Sequence, residues 1–178
     1  RKTSILYEDL TMEALDHLSA TLAVSMGLAW ASGINLYATL VTLGFLANSG
    51  NIDLPPDLQV VANPLVMGAA GVMYFVEFFA DKTPGVDTGW DTIHTFIRIP
   101  AGAMLAAGAV GDLNPAVEIA AAILGGSLAA GTHATKTGTR VLINTSPEPF
   151  SNWIASVGED VAVVGGVWAS INHPVTFL

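Results

Sequence analysis

Of the 178 residues, 52% are apolar and only 12% charged, and the mean hydropathy is +0.56. Soluble domains average about 25% charged residues, so this composition argues against a water-soluble domain and makes the bilayer the expected solvent. The net charge of −9 argues against nucleic acid as a partner, because nucleic acid selects a basic surface. The lack of cysteine excludes a disulfide scaffold and thiolate chemistry.

Residues 1–17 carry Glu8, Asp9, Glu13 and Asp16 interleaved with Leu10, Met12 and Leu15. They read as an acidic amphipathic lead-in lying on the membrane surface, or as a solvated tail, and not as a targeting segment, which would be basic and then apolar. Residues 18–178 read as a single transmembrane helical domain. Leu18–Ala47 is an almost uncharged run of about 30 residues, longer than the roughly 20 needed to cross the hydrocarbon, with an expected interruption at Ser32-Gly33-Ile34-Asn35. Beyond it, Asn35, Thr39 and Thr42 share a helical face. Asn48–Asp57 is a turn-rich loop. Pro64–Ala80 is an apolar span that ends in FVEFFADKTPG, with Glu77 and Asp81 one turn apart and Pro84-Gly85 as the stop.

Val86–Ile99 carries a polar stripe of Asp87, Asp91, His94 and Arg98 beside an apolar stripe containing Trp90. It reads as an interfacial amphipathic helix with Trp90 at headgroup level, its polar stripe turned to the protein and its apolar stripe to lipid. Pro100–Val110 reads as a separate short apolar helix. Ala116–Asn144 is a second over-long run of about 30 residues, expected to break or pack tightly near Gly131. Phe150–Ile171 makes the last span, with Glu159 and Asp160 inside it. The fold class is therefore an all-α polytopic membrane helix bundle with broken or over-long helices and one interfacial helix. A weakened long helix followed by a proline-ended span occurs twice, hinting at an internal, inverted repeat of residues 18–99 and 100–178. Four to six crossings are compatible with the pattern.

The chemistry concentrates in GGSLAAGTHATKTGTRVLIN, since the chain has only six lysines and arginines in all. At about 100° per residue, His133, Lys136, Thr137, Arg140 and Asn144 fall on one stripe. Charges at a helix centre cost roughly 2.5–3.5 kcal/mol each on insertion scales and need partners or water. The expected binding or pathway residues are His133, Lys136, Arg140, Glu77 and Glu159, across an interior lined by Asn35, Thr39 and Thr137. The alternative is a set of structural ion pairs or snorkelling charges. No metal motif, GxSxG elbow or phosphate loop is present, so no catalytic residue, metal or cofactor is expected.

The series GINLYATLVTLG, YFVEFFADKTPGVDTGWDTIHTFIR, PAGA, GTHATKTGTRVLINTSPEPFSNW and EDVAVVGGVWA resembles the bacterial integral membrane proteins grouped as domain of unknown function 4126, over roughly Gly27 to Pro174. The resemblance implies a small multi-helix protein of the bacterial inner membrane and carries over no catalytic residue. Three function classes remain open: a transporter or channel for an ion or small anion, a non-catalytic accessory or scaffold subunit of a membrane complex, and a membrane-interface enzyme acting on lipid, for which His94 with Asp91 is the candidate acid/base pair. The expected partners are the lipid bilayer and, through glycine and alanine faces at Gly68–Gly71, Gly102–Gly108 and Gly125–Ala130, further copies of the chain.

Overall fold

The computed structural model describes the backbone of residues 2–83, 85–146, 148 and 150–178, with side chains from Thr11 onward. The stop at Pro84, the prolines Pro147 and Pro149, and the lead-in side chains of Glu8, Asp9 and Leu10 lie outside the described residues. The chain is all-helical among the described residues: α1 (Lys2–Asn48), a 3-10 segment (Pro56–Ala62), α2 (Pro64–Ala80), α3 (Val86–Ala109), α4 (Pro115–Ile143), α5 (Phe150–Asn172) and a terminal turn, α6 (Pro174–Phe177). Three helices are long and apolar enough to cross a membrane, within Thr11–Asn48, Pro115–Ile143 and Phe150–Asn172. The 3-10 segment and α2 meet that test together, bent by 62°.

α1 is the central post. It packs against every other helix, and 67% of its most apolar window is buried, against 17% for α4 and 22% for α5. Its buried side chains are mainly small (Ala23, Ser25, Ala29, Ala31, Ser32), joined by Leu28, Leu36 and Leu43. Small faces let backbones approach closely where no hydrophobic force between helices is available. At Gly33 an added Cβ would run into the Ala129 carbonyl and the Thr132 hydroxyl of α4, so α1 and α4 touch almost backbone to backbone there.

The expected interruption of α1 falls at Asn35, which leaves the helical region (φ −148°, ψ 99°). The asparagine caps the half-helix beyond it: its Oδ1 accepts the Ala38 N–H at 3.0 Å, and its carbonyl accepts the Thr39 hydroxyl at 2.8 Å. A side chain that satisfies an otherwise free N–H at the third position stabilises a helix start by about 1 kcal/mol, so the break is built into the sequence. Asn63 and Asn114 cap α2 and α4 in the same way.

Two expectations are corrected. Pro100 does not divide two helices, because α3 runs unbroken for 24 residues. A proline inside a helix removes one hydrogen bond and costs about 3 kcal/mol, and the burial of Gly102, Leu105, Ala106 and Ala109 beyond it offsets that loss. Gly131 does not break α4, which is one helix of 29 residues. The space around Gly131 is open and Thr135 donates to its carbonyl at 2.9 Å, closing the turn; a glycine there costs only about 1 kcal/mol. The break in α1 thus has no counterpart in α4, which removes the matching broken helix from the expected repeat.

Candidate functional site, a buried charge cluster

The polar stripes seen in the sequence become the facing sides of four helices. α2 brings Glu77, with Asp81 at its C-terminal end. α3 brings Asp87, Asp91, His94 and Arg98, at spacings that keep them on one face, while Ile93 and Phe96 point outward. α4 brings His133, Lys136 and Arg140, and α5 brings Asn152, Ser156 and Glu159. All of these polar residues except Glu159 are buried, Glu77, Asp87, Asp91, Arg98 and Arg140 completely.

Lys136 is the hub. Its Nζ lies 2.8 Å from Asp81 Oδ2, 3.4 Å from both Glu77 Oε1 and Glu159 Oε2, and 3.7 Å from Asp91 Oδ1. Arg98 bridges Glu77 at 2.6 Å and Asp91 at 3.0 Å. Arg140 grips Glu159 with two nitrogens, at 2.7 and 3.1 Å, and donates to the Asp81 and Asn152 carbonyls at 2.9 and 3.1 Å. α2 shares little backbone contact with α4 or α5, so these long side chains are what tie it to them.

Neutral groups continue the network. Asn152 Nδ2 donates to Asn144 Oδ1 at 2.8 Å, and Asn144 in turn donates to both oxygens of Asp87 at 2.8 Å. On the other side, Asp160 accepts Asn35 Nδ2 at 3.1 Å and the Tyr74 hydroxyl at 2.8 Å, next to the N-terminal end of the half-helix that Asn35 caps. A carboxylate is favoured there by the exposed helix N–H groups. Lys82 is held by the Phe78 carbonyl and the Ser156 hydroxyl, each at 3.1 Å, and by the Phe78 ring at 2.9 Å.

His133 is locked in a neutral tautomer by its partners, and His94 has the hydrogen on Nδ1 fixed by one. Arg98 can only donate, so His133 Nδ1 accepts from it at 3.1 Å, and the N–H sits on Nε2, toward the Asp91 carbonyl at 3.1 Å and Thr95 Oγ1 at 2.7 Å. His94 Nδ1 faces the Trp90 carbonyl at 2.9 Å, so it donates, and Nε2 shares a hydrogen bond with the Tyr37 hydroxyl at 3.0 Å. His94 therefore has no ring nitrogen left for acid/base work with Asp91. Trp90 is half-buried and stacks on the His94 ring at 4.3 Å.

α4 and α5 scarcely touch. Between them a groove of about 530 Å³, lined by Trp30, Ile34, Thr132, Thr135, Lys136 and Glu159 among others, leads from the outside to the hub. Glu159, its side chain 17% exposed, is the most exposed member of the cluster.

Of the stripe, Lys136 meets both Glu77 and Glu159 and Arg140 meets Glu159, whereas His133 contacts Arg98, Thr95 and the Asp91 carbonyl and neither glutamate. Thr137 is half-buried with an unpartnered hydroxyl, and Asn35 and Thr39 serve the α1 break and Asp160 instead of the ion pairs. The interior position of Asp91 and Arg98 is what an interfacial reading of α3 leaves out. Their seven-residue separation on the stripe already turned to the protein was the available signal. Asn144 shares the stripe of Lys136 and Arg140, and Asn152 the face of Glu159, which was their signal; Tyr74 carried none of its own, since a neutral polar residue on an apolar helix is not costly enough to demand a partner. No group of potential metal ligands occurs among the described residues. No curated protein and no solved structure matches the chain. The model of the family described as Domain of unknown function (DUF4126) matches residues 22–178, and the chain belongs to that family.

Proposed function

We propose that this is an ion-transporting membrane protein whose pathway runs through the buried cluster between α2, α3, α4 and α5. The observation that carries the reading is the hub itself: seven charged side chains in one contiguous set of ion pairs inside an apolar bundle, reached from outside by the groove at Lys136 and Glu159. Intramembrane ionisable residues are expensive and mark ion paths and proton relays. Arg98, Lys136 and Arg140 are already committed to carboxylates, which favours a positively charged ion over a small anion. The lipid-enzyme reading loses support because His94 is engaged by Trp90 and Tyr37. The accessory-subunit reading draws on one feature, the open surface at Gly68 and Gly71. Purified protein in liposomes, assayed for flux of protons, monovalent cations and small anions, tests the proposal. Flux of a cation above that of empty vesicles is expected, and silence across the panel from folded protein would refute it.

A further inference from the structure

The hub contains four carboxylates, Glu77, Asp81, Asp91 and Glu159, but only three cations, Arg98, Lys136 and Arg140, all joined by ion pairs of 2.6–3.7 Å. One negative charge is left without a counter-charge in a site that is buried except at Glu159. A buried charge in that position is relieved by taking up a proton. Independently, three of the four carboxylates have an oxygen with no hydrogen-bond partner: Glu77 Oε2, Asp81 Oδ1 and Asp91 Oδ2, on residues at most 2% exposed. The neighbouring acids differ. Both oxygens of Asp87 and of Asp160 are satisfied by neutral donors.

We infer that the hub holds one exchangeable proton on its four carboxylates, so that the ion carried in the proposed transport function, on which this inference rests, is the proton. The other groups facing the hub do not take it. From α1, Tyr37 shares a hydrogen bond with His94 and Asn35 donates to Asp160. From α2, Tyr74 donates to Asp160, and Lys82 just beyond that helix attracts Asp160 first and then Asp81 and Glu159, so that counting Lys82 together with Asp160 leaves the excess of one carboxylate unchanged. On α3, Asp87 is closed by Asn144 and the N–H groups of Gly85 and Thr88, while His94 has both nitrogens engaged. On α4, His133 Nδ1 is occupied by the Arg98 donor. Lys136 is the relay, being the one group within 3.7 Å of all four carboxylates. Its ammonium gives a proton to one carboxylate oxygen, breaking an N–H and forming an O–H, and recovers a proton from a second, protonated carboxyl. Glu159 exchanges with a hydronium in the groove, which departs as water.

Infrared difference spectroscopy on the full chain in nanodiscs tests this without reference to transport. At pH 7 the wild type is expected to show the carbonyl band of a protonated carboxylic acid, shifted to lower frequency in D2O. The band is expected to vanish in Glu77→Gln, Asp81→Asn, Asp91→Asn and Glu159→Gln alike, because removing any one carboxylate balances three against three. Glu118→Gln, away from the hub, should leave it unchanged. Absence of the band in folded wild type, or its persistence in all four amide variants, would overturn the inference. The wild-type measurement decides even if a variant fails to fold. A band without flux of any ion would uphold the bound proton and refute the transport reading, and flux of another ion without the band would do the reverse.

Discussion

Removing one cation from the hub is expected to cost far more than removing one acid. Lys136→Met takes away the ammonium that faces four carboxylates and moves the excess of carboxylates over cations from one to two. Breaking a buried ion pair from one side costs about 3–5 kcal/mol, and the many partners of Lys136 put this variant at the upper end. Asp81→Asn and Glu77→Gln move the imbalance from one to zero and leave Lys136 at least three carboxylates; a loss of no more than about 1–2 kcal/mol is expected, of the order of a hydrogen bond to a charged group. Asp81 is the natural second site. At equal dielectric, attraction scales inversely with distance, so the 2.8 Å contact is about a fifth stronger than the 3.4 Å contacts to Glu77 and Glu159. Lys136→Met with Asp81→Asn should therefore recover about 1.5–3 kcal/mol of the single-variant loss, within the range seen for directly coupled residues. Reversible unfolding in mixed micelles at pH 7 reads the four variants against the wild type. If the acid-to-amide variants are as destabilised as Lys136→Met, the charge count behind this reasoning is wrong.

Gly33→Ala should be strongly destabilising, since the new Cβ meets the Ala129 carbonyl, whereas Gly131→Ala on α4, with open space around it, should be neutral or stabilising by up to about 1 kcal/mol; thermal melting of the pair checks both. Glu148, in the loop before α5, accepts hydrogen bonds from Ser151 foremost and from the Phe150 N–H, which hold its carboxyl below the usual glutamate value. The lowered folded value means that its contribution is complete above the ordinary value of about 4.3 and is lost as the pH falls through the folded value. Amide exchange in the first turn of α5 should accelerate over that acid window in the wild type and show no such pH step in Glu148→Gln. A homo-oligomer is expected to form through Gly68 and Gly71, the one of the three small-residue faces left open; native mass measurement in nanodiscs should find more than one copy, and Gly71→Leu should reduce the number.

Much of this arrangement was legible where a charge or a special backbone position forces the issue. A cation in an apolar run needs a carboxylate, so Lys136 and Arg140 predicted Glu77 and Glu159. Asn35 beside Gly33 announced the break in α1, because asparagine both tolerates non-helical backbone and caps the half-helix after it. Local signals misled where packing decides. Pro100 and Gly131 carry intrinsic helix penalties, but each is small against the burial along a helix of more than twenty residues, and both helices run through. The membership of Asp91 and Arg98 in the hub depended on which way α3 rolls, which is set by Gly102 and Gly125 meeting α1, α3 and α4 at close range and not by α3 alone.

Proton flux measured on the proteins used for the stability cycle tests most directly whether the hub conducts or only locks the bundle. Wild type in liposomes carrying a pH gradient should pass protons, and Lys136→Met with Asp81→Asn, folded and more stable than Lys136→Met alone, should not, since it lacks the relay nitrogen and one of its carboxylates. Flux retained by that double variant would assign the cluster a purely structural part.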